Sequence, residues 1–276
     1  MKPIQAVAAV AAATAAGKTL AGELEDLLPK IGSDNLNERK SGRDRFEDLV
    51  LASGKPGAEA ERAATSKAIC ALLEKEMSDD TRCWLLRELW LIGGAEAIPT
   101  LVKHLDHKGT DVADAARRAL QKNSAPEATA ALVAALGKAN TPEWKVACLI
   151  ALGGRADSKA TSAVAQHLSD KDLSVVSAAA AALGQIACPD SAKALAAARK
   201  KGSAEQKAIL SDRYLQVAEN WLRAGKYAEA LAIYKELDST SETELVRVAA
   251  RQGQLAVELS KKAGPGHLIY QEVKGQ

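Results

Sequence analysis

Four cysteines and four histidines are the side chains in this 276-residue sequence best suited to hold a metal or act as nucleophiles. A zinc site needs them at ligand spacing, such as two Cys-x-x-Cys pairs, or one such pair followed by two His. Cys70, Cys83, Cys148 and Cys188 form no such pair, and no His stands at ligand spacing from any of them. Each lies in or beside an apolar helical stretch, so they are expected to pack as small hydrophobes. None of His104, His107, His167 and His267 is followed by Glu, so a His-Glu di-iron arrangement is not encoded. Gly17-Lys18-Thr19 ends a near match to a phosphate-binding loop, but Ala12 replaces its first Gly. No strong strand precedes that stretch, and the loop needs a strand–loop–helix setting to aim its amides. No Ser-His-Asp set, Cys-His set or carboxylate pair can be assembled from the spacing. The expectation is a protein that is not an enzyme, with no catalytic, cofactor or metal residues.

The elements that would carry any site repeat along the chain. Leu89, Leu120, Leu152 and Leu183 are spaced by 31, 32 and 31 residues. Leu101, Leu132, Val164 and Leu195 keep the same spacing, as do Leu105, Leu136, Leu168 and Arg199. A shared period that includes its single insertion marks a structural repeat. Each unit reads as two helices, the first at 80–92, 111–122, 142–152 and 172–186. The second helices fall at 95–105, 126–136, 158–168 and 189–200. Helix breakers separate them: Gly93-Gly94, Asn123-Ser124, Gly153-Gly154 and Cys188-Pro189. Thr110, Thr141 and Asp170 are expected helix caps. One helix pair cannot bury its own apolar face, whereas stacked pairs build a continuous core. The predicted fold is therefore all-α, an α-α superhelix of stacked antiparallel helix pairs.

The run Leu86-Arg87-Glu88-Leu89-Trp90-Leu91-Ile92-Gly93-Gly94-Ala95-Glu96-Ala97-Ile98-Pro99-Thr100-Leu101 resembles HEAT repeats. So does Asp172-Leu173-Ser174-Val175-Val176 continuing to Leu183-Gly184. The resemblance extends to a class of exported bacterial HEAT-repeat proteins of unassigned function, whose arrays follow an N-terminal helical region. It departs from the general pattern where an Arg often follows the Val of the first helix. Ala113 and Val176 stand there, which puts an Asp–Arg ladder between repeats in doubt. Trp221 to Tyr234, with Gly225-Lys226-Tyr227-Ala228-Glu229-Ala230-Leu231, resembles a tetratricopeptide helix pair. Gly225 would end one helix, and Tyr227, Ala230 and Tyr234 would face it from the next.

The resemblance implies a HEAT-like solenoid whose second helices line the concave face. Lys103, His104, Gln166 and His167 would then form a partner-binding face. The two His share one repeat position and precede Leu105 and Leu168, so they are expected off the core. They lie two helix spacings apart, too far to share a metal. Trp84 aligns with Ala115, Ala147 and Ala178, so it should fill a wider gap against the N-terminal helices. Trp144 aligns with core valines. Trp90 aligns with Gln121 and Gly153, which predicts partial exposure and makes it a further contact candidate.

Composition sets the remaining bounds. Aromatics are 3% of the chain, which suits close helix packing better than a β-sandwich. The formal charge is +2, too balanced to argue for nucleic acid from charge alone. Arg199-Lys200-Lys201 and Arg117-Arg118 with Lys122 are the basic clusters that would serve a nucleic-acid-binding helical module, the alternative function. The leading expectation is a scaffold that binds a protein or peptide along the concave face. Lys2, the apolar run 4–16 and Ala13-Thr14-Ala15 outline a signal peptide, which points to an exported, periplasmic protein. No other segment approaches a membrane span. The expected organisation is a signal peptide or Ala-rich helix at 1–21, a helical cap at 22–79 and four repeats at 80–201. A tetratricopeptide-like pair at 202–240 and terminal helices at 241–276, with a short helix at 267–273, complete it.

Overall fold

The computed structural model describes residues 19–263; the expected signal peptide's apolar run and the helix expected at 267–273 lie outside them. Among the described residues the chain is helical, with no strand. It forms two compact units, Met1–Ala135 and Leu136–Gln276.

The first unit holds α1 (Leu20–Ile31), α2 (Leu36–Ser53), α3 (Glu59–Leu73), α4 (Asp79–Ile92), α5 (Ile98–Leu105) and α6 (Thr110–Lys122). The next helix, α7 (Glu127–Lys138), crosses the division. Side chains open several of these helices by accepting amide protons the helix leaves free. Thr19 accepts from the Gly22 amide, Asn35 from Asn37 and Glu38, and Ser78 from Thr81. Thr19, read above as part of a near phosphate loop, is thus the N-cap of α1.

The core runs through Leu24, Ile31, Phe46, Leu49, Ile69, Leu85, Leu89, Leu101 and Leu120, all without solvent exposure. Trp84 is buried with its ring edge-on to Phe46 of α2 at 5.2 Å. The Arg43 guanidinium lies over the same ring, also at 5.2 Å. An indole stands where the next repeat has Ala115 because α2, rather than another repeat helix, covers this end of α4. The turn after α4 is held from two sides. Arg62 Nη1 donates to the Ile92 carbonyl at 2.6 Å, and Asn123 Nδ2 donates to the Gly94 carbonyl at 2.8 Å.

The second unit holds α8 (Pro142–Arg155), α9 (Thr161–Ala165), α10 (Leu173–Ile186), α11 (Pro189–Arg199), α12 (Ala204–Arg223), α13 (Tyr227–Leu237) and α14 (Glu244–Ala263). Short 3-10 turns flank α9, at Ser158–Ala160 and Gln166–Ser169. Gly153-Gly154 is not a breaker: α8 runs through it and stops at Ala156 in the left-handed region, φ 53°. The glycine is there for packing, since a Cβ on Gly153 would come within 2.8 Å of the Ala182 Cα. α10 likewise runs past Gly184 and ends at Ala187, φ 47°.

Two of the three expected caps differ. Thr141 caps α8 by accepting from Trp144. Thr110 is already helical, with Gly109 as the cap. Asp172, rather than Asp170, caps α10. Asp170 lies two residues too early; it accepts from the Asp172 amide and from Lys145. Trp144 is half-buried, short of the full burial that its alignment with valines suggests.

α12 and α13 form a hairpin through Gly225, φ 75°. Ala230 and Tyr234 are buried in it and Tyr227 is half-buried. Two of its polar groups reach other elements of the unit, and one buried cation reaches it in return. Asn220 Nδ2 donates to the Gly184 carbonyl at 3.0 Å, and Trp221 Nε1 to the Ala187 carbonyl at 2.7 Å. Arg199, the last residue of α11, enters the α12–α14 region as a buried cation.

Candidate interaction surface

The five sequence-selected residues are divided between the two units. Lys103 and His104 are on α5, Trp90 is on α4, and Gln166 and His167 belong to the other unit.

Lys103 and His104 line an open groove of about 520 Å³ with Glu74, Arg82 and His107 among its walls. Lys103 is exposed and ion-paired with Glu74. His104 corrects the expectation that it stands off the core, for it is only 4% exposed, while Leu105 after it is half-exposed. The reason lies in its hydrogen bonds. Nδ1 is 2.8 Å from the Thr100 carbonyl one turn earlier, and a carbonyl can only accept, so Nδ1 carries the proton. Nε2 is then the acceptor for Arg82 Nη1 at 3.3 Å. Arg82 also donates to the Leu73 carbonyl at 2.8 Å, closing the end of α3. His104 is therefore a neutral strut between α5 and the α3–α4 turn. Burial pushes its pKa below the usual histidine value, and the Arg82 charge adds to this. The His104 and His107 rings stack at 6.4 Å, but His107 Nδ1 accepts from the Gly109 amide.

In the second unit Gln166 is exposed and His167 half-buried. His167 Nδ1 lies 3.8 Å from Asp170 Oδ2. Among the described residues no group of three or more His, Cys, Asp or Glu could hold a metal ion. Cys148 is buried, and the other three thiols are half-buried. Cys188 departs from the expected role of a packed hydrophobe: its Sγ caps α11 by accepting from the Ser191 amide. Burial alone would raise its pKa, but hydrogen bonds with Ser191 and Thr161 bring it below the usual thiol value.

Trp90 is the candidate whose setting suits contact with a partner. Trp90 is 41% exposed and lines a groove of about 270 Å³. Trp84, Cys83 and Ala115 supply an apolar lining, and Arg43, Arg87, Arg118 and Asp80 its charges. Arg43 is committed to Asp80 at 2.6 Å. Arg87 and Arg118 remain more than half exposed, and Arg118 shares Asp114 with the buried Arg117. The exposed Leu91 follows Trp90 on α4. The repeat counterparts of Trp90 and Leu91 are Gln121 and Lys122 in the next unit, so this apolar pair is particular to the first repeat.

Each basic cluster loses one arginine to the interior of the fold. Arg199 is buried, 2.6 Å from Glu242, with its guanidinium over the Tyr214 ring. Arg117 and Arg118 both pair with Asp114. The sequence signal that could have revealed this is Arg199 itself, which occupies the repeat position filled by Leu105, Leu136 and Leu168. No described helix is long and apolar enough to cross a membrane.

A search of curated proteins finds no match. Several solved structures resemble the chain at low identity. An engineered protein aligns at 20% identity over 85% of this chain and 68% of its own, with a TM-score of 0.43. The CpcE–CpcF complex of the phycocyanin lyase from Nostoc sp. PCC7120 aligns at 20% over 85% and 94%, TM-score 0.42. A designed armadillo repeat protein in complex with a (KR)4 peptide aligns at 19% over 85% and 99%, TM-score 0.40. The profile of the family described as HEAT repeats matches residues 66–145 and 139–211. Together these segments span more than half of the sequence, in the region where the 31-residue period and the paired helices occur, and the chain belongs to the HEAT-repeat family.

Proposed function

We propose that this chain is a non-catalytic scaffold that binds a protein or peptide partner. The Trp90 groove carries the reading. An exposed indole over an apolar lining, between two exposed guanidiniums, fits a segment with an apolar anchor beside acidic residues. Trp and Arg are the residue types that most often dominate interface energetics. Lys103 and Gln166, both exposed on second helices, extend the reading to the concave face. The alternative, a nucleic-acid-binding module, is disfavoured by the burial of Arg199 and Arg117 in internal ion pairs, since phosphate contacts need accessible cations.

The reading includes two finer parts. The α12–α13 hairpin is a tetratricopeptide-like pair that follows the four HEAT units, supported by the Gly225 turn and the buried Ala230 and Tyr234. The chain acts outside the cytoplasm, supported by the Lys2 and apolar-run pattern at its start. Cell fractionation with sequencing of the mature N-terminus tests the second part; an intact Met1 in the cytoplasm rejects it.

The binding test is selection from a displayed peptide library against three baits: wild type, Trp90→Ala with Arg118→Glu, and Lys103→Glu with Gln166→Glu. Acidic sequences with an apolar anchor, lost only on the Trp90 bait, support the groove. Loss only on the Lys103 bait moves the site to the second helices. Enrichment of no peptide, together with salt-sensitive capture of nucleic acid, overturns the scaffold reading.

A further inference from the structure

Arg87, one of the two exposed guanidiniums of the Trp90 groove, stands beside two carboxylates. Its Nη2 lies 3.8 Å from Glu47 of α2, and its Nε lies 4.0 Å from Glu88, the next residue on α4. Both separations exceed hydrogen-bond length, so the two acids act on Arg87 through charge alone. Their settings differ. The Glu47 side chain is 44% exposed, whereas that of Glu88 is 2% exposed and its Oε2 has no hydrogen-bond partner. A buried carboxyl without partners is poorly held in its charged form. Burial, with the Glu47 charge beside it, raises the Glu88 pKa to about 7. Glu88 therefore changes charge near neutral pH.

The other charges packed around α4 are already committed. From α2, Arg43 also faces Glu88 but is tied to Asp80 at 2.6 Å. From α3, Arg62 is spent on the Ile92 carbonyl and on Glu96. From α6, Arg117 and Arg118 share Asp114. Arg87 is thus the cation of the groove whose net field follows the state of Glu88. The repeat counterparts of Glu88 are Ala119, Ala151 and Ala182, so the acid is particular to the first repeat, as Trp90 is.

We propose that proton uptake by Glu88 regulates the Trp90 groove by freeing the Arg87 charge for a ligand, so that an acidic segment binds more tightly on the acid side of neutrality. The regulation rests on the reading of that groove as the partner site. With Glu88 ionised, Arg87 faces two negative charges, and the cationic edge of the groove is largely cancelled. With Glu88 neutral, only Glu47 opposes it. Switching one charge about 10 Å from a ligand's carboxylate in a surface setting changes binding about two- to fourfold. By the same linkage, a bound acidic segment makes Glu88 a stronger proton acceptor.

Iodide quenching of Trp90 fluorescence tests this without a partner. Iodide collects where cations are uncompensated, and acrylamide, which is uncharged, reports access alone. The Trp90 signal is the wild-type emission minus that of Trp90→Phe, read at constant ionic strength, with circular dichroism as a check on folding. In the wild type the iodide quenching constant should be about two- to fourfold larger at pH 6 than at pH 8.5. Glu88→Gln should keep the larger value at both, and acrylamide should show no difference. An iodide response in the wild type that ignores pH overturns the proposal. So does one that persists in Glu88→Gln, or one that acrylamide matches. Because the probe is inorganic, a failed peptide selection leaves this result standing, and a failure here leaves the selection standing.

Discussion

Arg199 Nη2 lies 2.6 Å from Glu242 Oε1 with both side chains almost fully buried, so the last residue of α11 is tied to the chain just before α14. The pair is embedded in a polar cluster. Arg199 Nε donates to Ser211, whose hydroxyl donates to the second Glu242 oxygen at 2.7 Å. Lys207 adds a second cation 3.2 Å from Glu242. Removing one partner of such a pair leaves an uncompensated buried charge, which costs about 3–5 kcal/mol. Arg199→Met should therefore destabilise the protein by about 3 kcal/mol, measured by urea unfolding. Arg199→Met with Glu242→Leu should recover most of the loss.

The same cluster sets an acid limit. Burial alone would raise the Glu242 pKa, but hydrogen bonds from Ser211 and Arg199 hold it below the usual carboxylate value. A depressed folded-state pKa contributes stability above the unfolded value near 4.3 that disappears as pH falls through the folded one. Unfolding free energy should begin to drop as pH falls below about 4.3, and the drop should shrink in the double variant.

Glu88 behaves in the opposite sense. It is buried on α4 where the next repeats have Ala119, Ala151 and Ala182, and its Oε2 has no hydrogen-bond partner. Burial, reinforced by Glu47, raises its pKa to about 7. A carboxyl raised in the folded state costs nothing below its unfolded pKa, and its full penalty develops as pH rises through 7. Glu88→Gln should add up to about 3 kcal/mol at pH 8 and little at pH 4, read from urea unfolding at both values. Equal effects at the two pH values would contradict the assignment.

His104 predicts a tautomer as well as a titration. The ring should show protonated Nδ1 and bare Nε2 in nitrogen NMR spectra above its pKa. Its depressed folded pKa means that its stabilising role is complete above about pH 6.5 and is lost on acidification, when Nε2–H would face the Arg82 donor. His104→Leu should flatten the pH dependence of stability just below pH 6.5. A ring that titrates at or above 6.5 would rule out the strut.

Two glycines in helices should respond to alanine with opposite signs. Gly137 in α7 is exposed with nothing near its missing Cβ, so Gly137→Ala should stabilise by about 0.5–1 kcal/mol. At Gly153 the new methyl would press on Ala182 of α10, so Gly153→Ala should destabilise by about 1–3 kcal/mol. Thermal unfolding of the two single variants decides it.

The sequence by itself determined the all-helical class, the repeat and its family, because a period of 31 to 32 residues in buried Leu positions records a packing rule local to each helix pair. Leu89, Leu120, Leu152 and Leu183 are all fully buried, as are Leu101, Leu132, Val164 and Leu195. The partial exposure of Trp90 was legible for the same reason, since its repeat counterparts are Gln121 and Gly153. Tertiary structure decided what depends on neighbours distant in sequence. His104 reads as a surface residue by position, but Arg82 and the Thr100 carbonyl turn it inward. Gly153-Gly154 reads as a break, whereas the approach of Ala182 makes it a contact within a continuous helix. Arg199 and Arg117 read as part of basic patches, and their acids, Glu242 and Asp114, consume them. A side chain's neutral or charged state, its direction and its availability are set by partners that the local sequence pattern does not encode. The helices that bring those partners together were readable along the chain, and the pairings among their polar groups were not.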